Sequence, residues 1–305
     1  LFRTNGTVAA QVKTELTPKG TTMAALDWEK YKNAIEKLFL IVDKESRTVP
    51  FLLNDPQLSI LKELSDRSIV LKARQEGISS LVLAIFTVDF LLQENIRCVV
   101  VSHEKEATQK LFDKVKFYLE GMKKTFPGEL PYELTYNSRH EMVNKAKNSV
   151  FYIGTAGARA FGHGDTINNL HCSELSRWPD EEKLMVGLMQ AVPKGGKIIV
   201  ETTANGMGDY FSRLWKKSRQ QGSTFKTHFL PWFSMKDYSL YIRGGFQADE
   251  EEMELQKTYN LTNEQLNWRR WKISELNGNI DAFNEQFPSN PEEAFILSGN
   301  PVWPP

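Results

Sequence analysis

The sequence predicts an α/β fold, a mostly parallel sheet flanked by helices, with a smaller helical unit behind it. Three observations carry that expectation. Short β-rich runs alternate with helical segments through the middle of the chain, the pattern of a layered sheet with right-handed crossovers. One of those helical segments, from Leu81 onward, is strongly apolar. After Tyr238 the content of Glu, Gln, Asn and Trp rises and the strand pattern disappears.

Bulk numbers set the outer limits. The 305 residues suffice for one large domain or two small ones with ample core. Basic and acidic residues number 38 each, so no global field draws the chain to nucleic acid; any such contact is a local patch. Cys98 and Cys172 lie in apolar, strand-like runs and fit reduced intracellular thiols better than a disulfide scaffold. No apolar run is long enough to span a bilayer, and no signal peptide is evident. The opening through about Thr22 is polar and weakly patterned, as expected of a trimmed or tagged end.

In chain order, Leu26, Tyr31, Ile35, Leu38 and Phe39 recur at helical spacing between Ala25 and Asp43. Strands are expected at Ser68–Lys72, Ile96–Ser102, Ser149–Gly154, Ile167–Cys172, Lys197–Thr203 and Phe225–Leu230. Between them, Ser80–Gln93, Glu104–Lys124, Glu182–Ala191 and Asp209–Gln220 read as helices. "DEEEMELQKTYNLTNEQLNWRRWKISEL" reads as two helices around a Thr262 cap, with Glu264 and Gln265 just inside the second. The chain divides on this reading into an extension and helix (1–45), a sheet core (46–238), a helical unit (239–297) and a tail (298–305).

The stretch "LKARQEGISS", Leu71 to Ser80, is a near-match to a phosphate-binding loop, G-x-x-x-x-G-K-[ST]. Gly77 and Ser79 hold the places of the second glycine and the hydroxyl, but Ile78 holds that of the lysine. A strand precedes the stretch and a helix follows it. Gly77 lets backbone approach an anion, and Ser79 or Ser80 sits at the helix N-terminus, where amides and dipole favour one. Lys72 and Arg74, just before the turn, are placed to supply the charge that Ile78 does not. The alternative is an ordinary strand–turn–helix with basic flanks.

Three further stations bear on the choice. "TINNLHCSELSRW" puts Ser173 and Glu174 after a short strand, where phosphoryl transfer needs an acidic group to orient water. Glu174 fits that role or simply opens a helix; Ser173 is limited to hydrogen-bonding a magnesium-bound water. His171 and Cys172 lack a second ligand pair at zinc spacing. "GKIIVETTANG" ends a strand in Thr202, Thr203 and Asn205, which either sense a γ-phosphate or form a turn. "FLLNDPQLSIL" carries Gln57, a donor and acceptor suited to the N6 and N7 edge of adenine, or else a surface turn.

In this order the stations resemble the ATPase domain of the large terminase subunit of tailed bacteriophages. The matching text is a glutamine motif, "RQxGxS", a strand ending in "SE", "TTANG" and "LPWFSMKDY". It ends with "LTNEQLNWRRWKISELNGNIDAFNEQFPSNPEEAFILSG". Coverage runs from about Phe51 to Gly299; each motif alone is weak and the ordered series is specific. The resemblance implies a P-loop NTPase of the ASCE/RecA-like class with a small helical C-terminal lid, taking ATP and Mg2+. It implies ATP hydrolysis coupled to movement of double-stranded DNA into a procapsid.

Residue by residue, Lys72 matches the family's relocated phosphate-binding lysine and Arg74 its loop arginine. Gln75, Glu76, Gly77, Ile78, Ser79 and Ser80 complete the nucleotide loop beside Gln57. Glu174 is implied as catalytic, Thr202, Thr203 and Asn205 as coupling, and Ser79 and Ser173 as the metal's hydroxyls. "GARAFGHG" departs from the family's arginine–glycine pair, with Arg159 the counterpart and His163 at a compatible offset; Arg159 is implied as a catalytic arginine finger, with Arg139 and Arg74 the other candidates for that role. Ser173 stands where aspartate is usual.

The implied partners are a portal protein, a small terminase subunit and other copies in a ring on the capsid, with a monomer in isolation and no membrane. The implied location is the host cytoplasm. The chain stops at "SGNPVWPP", where a linker to a nuclease domain is expected, so no nuclease activity is implied for it. Two rival readings are a helicase-like DNA-dependent ATPase and a degenerate nucleotide-binding module that serves assembly without turnover. "RLWKKSRQ" is either a DNA contact or a solvated helix face.

Overall fold

The structure, a computed structural model, describes residues 27–128, 133–156, 166–206 and 208–295. The expectations placed on Leu26 and the opening segment, on Arg159 and His163, and on the tail 298–305 lie outside the described residues. Helix α1 (Trp28–Leu38) buries Tyr31, Ala34, Ile35 and Leu38, one stripe at three- and four-residue spacing. The helical spacing read on to Asp43 does not continue. Leu40–Val42 (β1) instead pairs antiparallel with Thr48–Pro50 (β2), and Ser46 turns the chain at φ 61°. The boundary expected at residue 45 therefore falls inside a hairpin.

Helix α2 (Asp55–Glu63) starts on a reciprocal cap, Asn54 with Gln57, and leads to β3 (Arg67–Lys72) and α3 (Ile78–Leu92). Strand β4 (Arg97–Ser102) and α4 (Lys105–Thr125) follow, then β5 (Leu134–Asn137), β6 (Glu141–Asn144) and β7 (Ser149–Thr155). Next come β8 (Asn169–Ser173), α5 (Glu181–Ala191), β9 (Lys197–Thr202), α6 (Tyr210–Ser218) and β10 (Lys226–Leu230). Among the described residues eight strands form one sheet in the order β10-β3-β9-β8-β4-β7-β6-β5. The strands from β10 to β7 run parallel, while β6 and β5 close that edge antiparallel.

All six expected strands are present within two residues of their ends, because a parallel strand covered on both faces must be continuously apolar. Helices α1 to α4 cover one face and α5 and α6 the other. Helix α3 has no polar side toward solvent: Leu81 through Phe86 are fully buried between the sheet and its neighbouring helices.

Beyond β10 the chain forms α7 (Glu250–Tyr259), α8 (Asn263–Glu275), α9 (Ile280–Gln286) and α10 (Pro291–Ala294). The Thr262 cap is as expected: Thr262 Oγ1 accepts the Gln265 amide at 3.2 Å and Gln265 Oε1 accepts that of Thr262 at 3.0 Å. Trp232, Tyr238, Trp268, Phe283 and Phe287 form this unit's own core, with Tyr238 stacked on Trp268 at 4.3 Å between centroids. Its packing thus begins at Trp232, ahead of the expected start at 239, and it reaches Ala73 at the exit of β3.

His228, on β10, is buried with Nε2 3.2 Å from Ser68 Oγ. Burial, helped by Lys226, pushes its pKa from 6.5 down to about 4. Between those values the unfolded chain binds a proton that the native chain refuses, so stability falls as pH falls. The loss between pH 7 and 4 is expected to reach about 3 kcal/mol at most. Urea midpoints at the two pH values check it; His228→Gln should show a smaller acid loss than the unmodified chain.

Candidate functional site

Parallel strands leave their carboxyl ends on one edge of the sheet, and the loops there form the crevice where such folds bind ligands. On this edge β3, β9 and β8 are consecutive neighbours. The register sets Leu71 opposite Thr202 and Ser173 opposite Glu201, so the ends of all three strands converge.

The loop leaving β3 is held on both sides. Gln75 (φ 59°) and Gly77 (φ 78°) take left-handed conformations that turn the chain into α3. A Cβ on Gly77 would lie 2.7 Å from Gln57 Nε2, so glycine is required by space as well as by φ. From the amino-terminal side, Gln57 Nε2 donates to Gly77 O at 2.8 Å and Asn54 Nδ2 to Glu76 O at 3.3 Å. From the carboxyl-terminal unit, Tyr238 Oη donates to Arg74 O at 2.5 Å, and the Arg74 amide donates to Gln286 O at 3.0 Å. Ser234 Oγ donates to Glu76 Oε1 at 2.8 Å, and burial pushes the Glu76 carboxyl well above the usual carboxylate range.

Lys72 ends β3 with its ammonium inside this ring. Nζ is 3.1 Å from Glu174 Oε1 and 3.2 Å from Glu201 Oε2, and the side chain is 6% exposed. Burial opposes its charge, yet the two carboxylates outweigh burial and hold its pKa above the ordinary lysine value. Glu201, on β9, is fully buried. Its Oε1 accepts from Ser79 Oγ and Ser173 Oγ, each at 2.7 Å, and lies 3.3 Å from His171 Nε2. Burial works against its ionisation, but Lys72, His171 and the Ser173 hydroxyl bring its pKa well below the usual range.

Glu174 follows Ser173 at φ 54° and is partly exposed. Its Oε2 is 3.5 Å from both Thr202 Oγ1 and Thr203 Oγ1, and 3.9 Å from Arg177 Nε. Thr202 also meets Ser176 Oγ at 2.6 Å, and Asn205 Nδ2 donates to Ser176 O at 3.0 Å. The polar tip of β9 is therefore tied to the segment that carries Glu174.

The structure thus brings together Lys72, Ser79, Ser173, Glu174, Thr202 and Thr203, with Asn205 at the margin. Ile78 is buried in the apolar core, which explains why no cation stands there. Gln57 is no surface turn: it is buried on α2, and its amide is engaged by Asn54 and Gly77. Arg74 and Gln75 are exposed and face a second cleft with Lys272 and Glu275. Sequence reasoning missed Glu201, Asn54 and Lys114, whose Nζ donates to Ser80 Oγ at 3.0 Å from α4. A glutamate inside the apolar run "KIIVETT" was the available signal, since buried charges are rare unless paired.

Beside Gly77 and Ser80 opens a cleft of about 940 Å³, mostly apolar, walled by Ile41, Leu52, Phe117 and Tyr118 and rimmed by Lys110 and Lys114. The rim also carries Asp43, Glu45, Asp55, Asp113 and Asp237, so what suits a planar apolar group bearing phosphates is the apolar wall against a helix N-terminus.

No protein-family model matches the chain, and no curated protein matches it. Solved structures do. The large terminase of bacteriophage HK97 superposes with a TM-score of 0.60 at 14% identity, over 86% of this chain and 54% of that one. The ATPase domain of the large terminase of Thermus phage P74-26 does so with a TM-score of 0.52 at 12% identity, over 77% of this chain and 92% of that one. The chain has the fold of these large terminase ATPase domains, and it spans about half the length of the HK97 protein.

Gly77→Ala forces a side chain into a left-handed conformation and displaces the Gln57 amide from Gly77 O. The expected destabilisation is about 1–3 kcal/mol. Chemical denaturation checks it. In a Gln57→Ala background the same change should cost less, because the clash and the bond are already gone.

Proposed function

We propose that this chain is the ATP-hydrolysing motor domain of a viral large terminase, which moves double-stranded DNA into a procapsid. The observation that carries the reading is the juxtaposition of Lys72 and Glu174, 3.1 Å apart, at the mouth of a phosphate-type loop in the fold of terminase ATPase domains. ATP is the substrate on this reading, its base and ribose in the cleft beside Gly77 and its phosphates over the α3 N-terminus.

Lys72 exchanges its carboxylate partners for phosphate oxygens, the charge-assisted contact that Ile78 does not supply. Glu174, released by that exchange, orients water for attack on the terminal phosphate. Thr202, Thr203 and Asn205 carry the change at Glu174 into β9 and the segment behind it. Hydrogen bonds from the carboxyl-terminal unit to Arg74 and Glu76 make that unit a lid joined to the loop. Magnesium would be held by the hydroxyls of Ser79 and Ser173, hard oxygen donors that meet at Glu201 Oε1, and would supply positive charge to offset that of the phosphates.

The remaining parts of the proposal follow from the terminase reading. Copies of the chain form a ring with a portal protein and a small subunit, and Arg159 of one copy completes the site of the next. No helix among the described residues is long and apolar enough to cross a membrane, which suits a motor that works on DNA in the host cytoplasm.

Two substitutions test the reading by labelled-ATP titration and phosphate release. Glu174→Gln should lose turnover by roughly 10²–10⁴-fold. It should bind ATP no more weakly than the unmodified chain, since the amide releases Lys72. Hydrolysis within a few-fold of normal would leave Glu174 as an incidental turn residue. Lys72→Ala should bind ATP at least about ten-fold more weakly. Unchanged affinity sinks the lysine assignment.

A further inference from the structure

The sequence shows a serine, Ser173, at the end of β8, where a cation-binding phosphoryl-transfer site usually presents a carboxylate. The structure shows a carboxylate one strand away. Ser173 and Glu201 are ladder partners between β8 and β9, and their side chains meet at 2.7 Å. A carboxylate carried by either position reaches the same point.

We propose that Glu201 holds the divalent cation of the bound nucleotide, in place of the acidic residue that β8 lacks; the inference rests on the nucleotide reading above. Three features of the geometry support it. First, Ser79 Oγ donates its proton to Glu201 Oε1, which leaves the hydroxyl lone pairs directed away from the carboxylate and free for a metal. Second, Glu201 Oε2 is buried, and its close partner among the described residues is the Lys72 ammonium, 3.2 Å away. When Lys72 turns away, that oxygen is left a buried acceptor without a donor, which is costly, and the water shell that magnesium retains would supply one.

Third, the partner of Glu201 is the group that nucleotide removes. Once Lys72 turns to phosphate, Glu201 keeps only two hydroxyls and His171 around a fully buried charge. Removing one member of a buried ion pair is strongly unfavourable unless another cation takes its place. A divalent ion arriving with the phosphates does so. Lysine and cation then occupy the Glu201 carboxylate in turn, before and after nucleotide binds.

The alternative role, a counterion for Lys72 alone, is separated by measuring the cation dependence of binding. Fluorescent ADP is titrated in EDTA and in saturating Mg2+, and Mn2+ binding to the protein–ADP complex is followed by electron paramagnetic resonance. The unmodified chain should bind ADP more tightly with Mg2+. Glu201→Gln should lose that gain, with Mn2+ bound roughly 10–100-fold more weakly, while affinity in EDTA does not fall. Ser173→Asp added to Glu201→Gln should restore the gain, since it returns the carboxylate to β8.

Retention of the full Mg2+ gain in Glu201→Gln overturns the proposal, as does an equal loss of affinity with and without cation. If Glu201→Gln does not fold, the double variant and the unmodified chain decide. Anomalous scattering from Mn2+ co-crystallised with ADP should place the ion beside Ser79, with Glu201 the nearest carboxylate. An ion whose nearest carboxylate is Glu174 refutes it. An unmodified chain that binds no ADP under either condition defeats the nucleotide reading itself, and this shows before any variant is made.

Discussion

Lys72 keeps a positive charge where its side chain is only 6% exposed, and a charge at that depth persists only beside carboxylates. Glu174 and Glu201 supply them from two different strands, so the ammonium fixes how β3, β9 and β8 must be ordered. With β9 between the other two, Glu201 lies directly beside the lysine strand and Glu174 reaches in from the tip of β8. Had β8 been next to β3, Glu201 would have no lysine to pair with. Any phosphate that draws Lys72 away must compete with two ion pairs. Binding at this edge is therefore an exchange of partners, with a net gain smaller than the new contacts alone suggest.

The loop around that lysine is built from distant pieces of chain. Asn54 and Gln57 hold its second half, while Tyr238, Ser234 and Gln286 hold its first half and Glu76. Each bond to a buried backbone group is modest in net terms and costly to leave unmade. The loop thus cannot relax without disturbing the α2 cap on one side or the tryptophan-rich carboxyl-terminal core on the other. That core packs Trp232, Tyr238 and Trp268 as a stack and touches Ala73, the residue after Lys72. A shift of the carboxyl-terminal helices is transmitted to the loop through Arg74, whose amide and carbonyl are both bonded to that unit.

What the sequence made legible follows from how much each element depends on its own residues. The parallel strands and the helices between them were readable because burial on two faces, or on one stripe, imprints a pattern on the text. The Thr262 cap was readable because its two bonds lie within four residues. The β1–β2 hairpin and the antiparallel edge were not, since strands of three and four residues carry too little pattern and Phe39, just past α1, continues its helical spacing. Gln57 looked like a ligand group because its donor and acceptor are visible in the letters, while Gly77 O, the partner that engages its donor, is twenty residues away. Lys72, Ser79 and Glu174, which the structure brings together, were readable from their places in a motif. Glu201 was missed because the motif has no place for it.

Each of the two departures from the phosphate-loop text, isoleucine for lysine and serine for the strand-end acid, has a counterpart at a neighbouring strand position. A lysine at position 78 would enter from the helix and leave its stem on the α3 side; at position 72 the stem runs along β3. Its counter-charge must then come from the strand beside β3, and that strand is β9. Glu201 meets this need, and from the same place its other oxygen collects the hydroxyls of Ser79 and Ser173. A second acid at 173 would put two buried carboxylates within hydrogen-bonding distance, an arrangement that raises the pKa of one of them and leaves it protonated. Serine at 173 thus fits a site whose buried carboxylate already stands at 201.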